Sequence, residues 1–373
     1  MLVTSSTELF LHSQTLRLIL GNQQHRTEHC FTGLAENCTS DDSDSHLKTK
    51  LVCFYIFTKE FQPGIMRDLC THIIVGFFGI NEETYCLDNS TEKLQELNEV
   101  AALKQVQKDL KVLLSVGGAG FNGFSLMVAK HVRRKKFIKS IIETLKIHNI
   151  DGIDLDWEWP VINGNDKEKI QFVQLLYEFR QEFNKCNNHF IISVDVSSLR
   201  LITELAYNIQ YLAKYVDFVN IMCYDYHFFT NWFPLTGHNA PLYQSQATSF
   251  SQTYNANYSI YYWISNLMPR EKIVLGIPTY GHTYKLMSPE RHSLNAPAIG
   301  FGSIGSEGFA TYAEICKFIE EQNASVVFDS DSKVPYAYKF TNWISYDNEM
   351  SLAFKFDEVE PRHNGQRNNC QCQ

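Results

Sequence analysis

Asp151-Gly-Ile-Asp154-Leu-Asp156-Trp-Glu158-Trp-Pro160 carries an acid at every second position from Asp154 to Glu158. Successive side chains of a strand point to opposite faces, so Asp154, Asp156 and Glu158 share one face and Ile153, Leu155 and Trp157 the other. Trp157, Trp159 and the aliphatic partners suit a strand covered on both sides, which sets three carboxylates inside a core. Burying acids costs several kcal/mol unless they share protons or hydrogen bonds. A segment selected only to fold would carry Val or Ile there, so the pattern reads as chemistry. An exposed edge strand with an acidic face would not need its two tryptophans. A Ca²⁺ or Mg²⁺ site would draw ligands together from a loop, whereas alternate strand carboxylates stand about 6.6 Å apart along one line. No metal and no cofactor are expected. Crowded carboxylates cannot all ionise, and the raised pKa keeps one protonated near neutrality. Glu158, last along the strand, is the natural proton donor.

Outward from this segment, short β-branched and aromatic runs alternate with amphipathic ones. Strands are predicted at 51–57, 72–78, 112–116, 152–157, 190–194, 218–223 and 273–278, and helices at 91–110, 134–148, 167–183 and 202–215. Alternating strands and helices make parallel β/α units, and seven such strands favour a closed (β/α)8 TIM barrel over a small open sheet. Active sites of that fold lie at the C-terminal ends of the strands, where Glu158 falls. From about 282 to 342 the alternation gives way to Gly/Ser-rich loops around one helix, 312–321, which reads as an α+β insertion after the seventh strand. Residues 1–49 are polar, with an Asp/Ser cluster at 40–45, and read as a flexible leader outside the fold. The domain is thus 50–373, with an atypical tail at 360–373.

The 373 residues are 44% hydrophobic and 13% aromatic, enough for a large core, and the net charge of -8 argues against a nucleic-acid partner. No apolar run is long enough to span a bilayer, so no membrane partner is expected. Residues 1–30 hold one short apolar patch, broken by Arg17, and no signal peptide is recognisable. Ten cysteines and four N-x-[ST] sequons, at Asn37, Asn89, Asn257 and Asn323, nonetheless fit a secreted chain better than a cytosolic one.

Residues 151–160 match the DGxDxDWE signature of the family 18 glycoside hydrolases, the chitinases and chitinase-like lectins, and the chain is identified as resembling that family over about residues 50–357. Leu69-Cys-Thr-His-Ile-Ile resembles the family's second-strand segment and Ser115-Val-Gly-Gly118 its SxGG motif. Met222-Cys-Tyr224-Asp225-Tyr226-His227 resembles its MTYD motif, and Gly276-Ile-Pro-Thr-Tyr280-Gly the seventh-strand one. The resemblance implies that Glu158 protonates the glycosidic oxygen and that the substrate's own N-acetyl oxygen is the nucleophile, outside the two-carboxylate scheme. It implies that Asp156 orients the acetamido group and stabilises the cationic intermediate, that Asp154 modulates Asp156, and that Tyr224 holds the acetamido oxygen. Met222, Asp225, Tyr280, Trp159 and Tyr55 would bind substrate. Asp151, out of phase with the other acids, would tie down the strand's entry, with Ser115, Gly117 and Gly118 chiefly architectural. It also pairs Cys53 with Cys70. Chitin or chitooligosaccharides would be the partners of a monomer.

Departures are equally legible. Thr58 and Ala119 stand where family enzymes place tryptophans, and His282 where an Arg often follows the seventh-strand Tyr-Gly. Cys316 matches a family cysteine whose partner is absent, leaving Cys370 or Cys372 as substitutes, and Cys223 reads as a buried free thiol. No eighth strand is readable after 348–359, which would leave the edges of the first and seventh strands open and the chain unstable. Three readings follow: a chitinase, a chitooligosaccharide-binding lectin without turnover, and an inactive truncated chitinase-like product.

Overall fold

Runs of Val, Ile, Leu and Phe bounded by turn residues make the strands of a barrel. The computed structural model describes residues 2–5, 50–57, 69–186, 189–246 and 252–359, with backbone alone for 2–5 and 359. Its central sheet comprises β1 (Leu2–Ser5), β2 (Leu51–Ile56), β3 (His72–Ile80), β4 (Lys111–Gly117), β5 (Gly152–Asp156), β6 (Ile191–Ser197), β7 (Phe218–Met222) and β8 (Ile273–Ile277), with the two-residue strand Leu87–Asp88 added antiparallel at the end of β3. Strands β2 to β8 run parallel, each beside the next in chain order. The ring closes through β1, antiparallel to both β2 and β8, with Val3 opposite Val52 on one side and Gly276 on the other. Two expectations are corrected here. The edges of the first and seventh parallel strands are paired, and part of the stretch read as a leader outside the fold is a strand of the sheet. Unpaired N–H and C=O groups along two strand edges are costly, and four residues of backbone satisfy both. The rest of the leader and the tail 360–373 lie outside the described residues.

Parity along the strands sorts the core. Val52, Phe54, Ile74, Leu113, Phe218 and Val274 point into the barrel and fill its lower half. Their neighbours Cys53, Tyr55, Ile73, Val75, Leu114 and Val219 point outward under the helices. Those helices are α1 (Thr91–Ala102), α2 (Phe124–Val128), α3 (His131–Ile147), α4 (Glu168–Lys185), α5 (Arg200–Ala206), α6 (Ile209–Tyr215) and α7 (Ala256–Ser265). Helix α4 buries Phe172, Leu175, Leu176, Phe179 and Phe183 at helical spacing, each contributing about 1.5–3 kcal/mol on burial. The helix predicted at 202–215 is two: Tyr207 is extended, and the Asn208 side chain caps α6 by accepting from the Tyr211 N–H. The helix predicted at 91–110 ends eight residues early, in a single 3-10 turn at Leu103–Gln105.

Two residues past β8 the chain enters the α+β insertion, a six-stranded antiparallel sheet. It comprises β9 (Tyr280–Leu286), β10 (Ala298–Gly300), β11 (Phe309–Thr311), β12 (Ser325–Asp329), β13 (Val334–Lys339) and β14 (Asn342–Ser345). Helix α8 (Tyr312–Glu321) covers it and starts with a reciprocal capping box between Thr311 and Glu314. Helix α9 (Glu349–Val359) then returns, held by a buried ion pair: Lys355 Nζ lies 2.6 and 2.7 Å from the two oxygens of Asp347, which also accepts from Ser351 Oγ at 2.7 Å. Removing one partner of a buried pair leaves the other charge uncompensated. Lys355→Met is therefore expected to destabilise the protein by about 3–5 kcal/mol, read as a lower urea midpoint with an unchanged denaturant slope. A midpoint equal to wild type would show that the pair does not hold the helix.

Candidate active site

Asp154 occupies the middle of the barrel, fully buried. Strand register places Ser115 of β4 on one side of it and Ser193 of β6 on the other. Ser115 Oγ donates to Asp154 Oδ2 at 2.7 Å and Ser193 Oγ to Oδ1 at 2.6 Å. Asn220 Nδ2, from β7, reaches Oδ1 at 3.4 Å and Asp195 Oδ1 at 2.7 Å. Burial pushes the Asp154 carboxyl up to about 6, against the pull of hydrogen bonds from Ser193, Ser115 and Asp195. Asp156 is raised well above the usual carboxylate range by burial first, then by Glu158 and Asp154. Among the described residues its Oδ1 is buried and accepts no hydrogen bond. Gly117 makes this packing possible: its φ is +119°, and a Cβ there would lie 1.9 Å from the Asp156 carbonyl oxygen.

Above Asp156, Glu158 is only half-buried, and its pKa is raised by burial and then by the negative charge of Asp225. Asp225 has a left-handed backbone, φ 58°, held where its N–H donates to Asn239 Oδ1 at 2.9 Å. Its Oδ1 accepts from Tyr280 Oη at 2.5 Å and lies 2.8 Å from His282 Nε2. Both partners belong to β9, so the insertion supplies one wall of the site. Tyr224 packs edge-on against Tyr280, ring centroids 6.2 Å apart, and burial raises its phenol. Such a site combines a carboxyl of raised pKa at the mouth, a second carboxyl with an unsatisfied oxygen beneath it, and a phenol alongside.

The structure thus brings together Asp154, Asp156, Glu158, Tyr224, Asp225 and Tyr280. Met222 and Trp159 are both half-buried, Trp159 against the outer core. Tyr55 is a correction: it points out of the barrel and donates to Glu96 Oε2 of α1 at 2.7 Å. Parity is the reason, since its neighbour Phe54 takes the inward position. Asp151 accepts from the Val112 N–H at 2.9 Å and pairs with Lys104 at 2.7 Å. That anchors the strand's entry, while Gly118 N–H donates to the Asp156 carbonyl at 2.9 Å. Cys53 and Cys70 form a disulfide, and Cys223 is a buried thiol pushed up to about 12. Thr58, Cys370 and Cys372 lie outside the described residues. Ser115, expected to be chiefly architectural, holds a site carboxylate directly. Ser193, Asp195 and Asn220 were not anticipated, although Ile191-Ile-Ser-Val-Asp-Val-Ser197 repeats the polar/apolar alternation of the acid strand.

The model of Glycosyl hydrolases family 18 matches residues 50–365. Chitinase-3-like protein 2 of Homo sapiens is 36% identical over 328 residues, covering 82% of each chain. The oviduct-specific glycoprotein of Homo sapiens is 33% identical over 355 residues, and the match spans 90% of this chain but 51% of that protein. Among solved structures, the Group IV chitinase of Ostrinia furnacalis superposes with a TM-score of 0.75 at 32% identity, covering 83% of this chain and 88% of the other. YKL-39, whose crystal structures were solved in the presence of chitooligosaccharides, does so with 0.75 at 33% identity and the same coverage.

The Asp154 cluster predicts a pH signature. Its folded pKa of about 6 exceeds the ordinary 3.8, so folding retains a proton, and this group's contribution to stability falls as pH rises from 3.8 through about 6. Ser115→Ala removes a donor to the ionised form. Its cost, about 1–3 kcal/mol, is expected in full above pH 6 or so and to shrink on acidification, as urea melts at several pH values would record. A pH-independent cost would mean that Ser115 does not hold an ionised Asp154.

Proposed function

The chain belongs to Glycosyl hydrolases family 18, and from that premise we propose that it hydrolyses β-1,4-linked N-acetylglucosamine chains, chitin or chitooligosaccharides, by substrate-assisted retaining catalysis. The observation that carries the reading is the orphaned Asp156 Oδ1, buried beneath a half-buried Glu158. A buried carboxyl oxygen without a partner is unfavourable by about 1–3 kcal/mol, and the N–H of an acetamido group satisfies it.

In this reading the sugar's acetamido oxygen attacks C1 while the glycosidic C–O bond breaks and the Glu158 proton passes to the leaving oxygen. Asp156 accepts the acetamido N–H and balances the positive ring that forms; Tyr224 donates to the acetamido oxygen and orients it. Water then opens the ring, giving its proton to the Glu158 carboxylate, which restores the acid. A pKa raised by burial and by Asp225 supports Glu158 as a donor near neutrality. Support for the substrate comes from the structural neighbours, a chitinase and a protein crystallised in the presence of chitooligosaccharides. The Cys53–Cys70 disulfide supports a secreted protein.

A second reading, binding without turnover, is favoured by exposed Ala119, which stands where an aromatic platform would stack on a sugar ring. Glu158→Gln separates the two. The amide keeps the shape but gives no proton, so turnover of a fluorogenic chitobioside is expected to drop by about 10²–10⁴-fold with oligosaccharide affinity nearly unchanged. Wild-type turnover in that variant rules out Glu158 as the acid, and a wild-type protein that binds without turning over supports the second reading. Asp156→Asn is expected to lower kcat more than it raises KM, because the lost interaction acts on the charged intermediate; an effect confined to KM would contradict that role.

A further inference from the structure

We propose that Asp195 is a positioning residue of this site, kept in its neutral form so that it donates to Asp154 and, with Asn220, holds that carboxylate ionised. Asp195 lies on β6 two residues beyond Ser193 and on the same inward face, and it is 1% exposed. Register sets it opposite Asn220 of β7, whose Nδ2 bridges Asp195 Oδ1 at 2.7 Å and Asp154 Oδ1 at 3.4 Å. One amide bridging both residues sets the two buried carboxyls side by side on the inward face, near enough for the hydrogen bond that pulls the pKa of Asp154 down. Two carboxyls can share such a bond only if one keeps its proton.

The charged groups acting on Asp195 are carboxyls alone: Asp154 and Asp156 of β5, and Glu158 beyond it. The other titratable groups facing it are the phenols of Tyr207, after α5, and Tyr224, after β7. Ser193 and Asn220 are neutral. With no cation among these groups, burial and three neighbouring acids both favour the protonated form, and its pKa is raised well above the usual range. Ser115, Ser193 and Asn220 donate to Asp154, and a neutral Asp195 adds a fourth donor. Donors favour the ionised form of Asp154, so it competes weakly for the proton of the Asp156–Glu158 pair, which stays at the substrate end. This consequence for the reaction rests on the glycosidase reading; the protonation state of Asp195 does not.

Two variants test it. Asp195→Asn keeps both the acceptor toward Asn220 and a donor toward Asp154, whereas Asp195→Ala removes both. In infrared spectra of protein labelled with carboxyl-¹³C aspartate at neutral pH, wild type is expected to show a protonated-carboxyl stretch of which Asp195→Asn loses one component. The unfolded chain releases this proton above pH 4 or so and the folded chain does not. The melting temperature of Asp195→Asn should therefore gain on wild type progressively as pH rises from about 4 to 7. In chitobioside hydrolysis, Asp195→Asn should keep the wild-type kcat/KM pH profile, while Asp195→Ala, with Asp154 less well held, should move the acid limb up by about one unit, a tenfold loss at its foot. An unchanged infrared band and a pH-independent melting difference would overturn the proposal, as would matching pH profiles for the two variants. If wild type hydrolyses nothing, the glycosidase reading fails, and the infrared and melting measurements still decide the state of Asp195.

Discussion

A carboxylate in the middle of a barrel must be surrounded by donors, and here those donors come from separate strands. Asp154 accepts from Ser115 of β4, Ser193 of β6 and Asn220 of β7. Each donor reaches it only if three strand pairs hold their registers, because a slip of one residue turns every one of these side chains to the helix layer. The Leu113–Phe218–Val274 cluster below fixes those registers with apolar contacts. The lower half of the barrel is therefore a packed core and the upper half a polar one, and the boundary runs across the strands at the level of Ser115 and Ser193.

Above that boundary burial opposes the ionisation of the inward carboxyls. Burial raises Asp154, Asp156, Asp195 and Glu158 together, and the gradient of exposure along the acid strand, from buried Asp154 to half-buried Glu158, separates their roles. The deepest acid is satisfied by protein donors, the middle one has an unsatisfied oxygen, and the outermost meets solvent and the Asp225 charge. The insertion completes the wall, since Tyr280 and His282 of β9 both contact Asp225. A ligand that brings an N–H to Asp156 and an oxygen to Glu158 and Tyr224 fits this order of needs.

Much of this was legible in the sequence, because the signals were local. The period-2 alternation of 151–160 puts Asp154 and Asp156 on one buried face, as the structure has them, and the seven β-branched runs matched β2 to β8 within a few residues. What was not legible depended on pairing between distant segments. The family resemblance alone places Tyr55 at the substrate, whereas its parity, set by pairing with Val75 of β3, turns it toward Glu96. Ser193 and Asp195 became visible as site residues only when register set β6 beside the acid strand, although their own alternation was present. The break at Tyr207 was hidden by continuous helical periodicity on both sides of it, and the pairing of Leu2–Ser5 lay in a stretch whose composition resembles a solvated leader.

The central claim, that donors converging from neighbouring strands hold a raised set of buried carboxyls, is tested most directly by titrating the side-chain carboxyl carbons by ¹³C NMR, with Asp154 and Glu158 assigned by substitution. The account predicts a midpoint near 6 for Asp154, with Glu158 above the ordinary range for a glutamate. Midpoints for both at the values of unburied carboxylates, about 4, would contradict it.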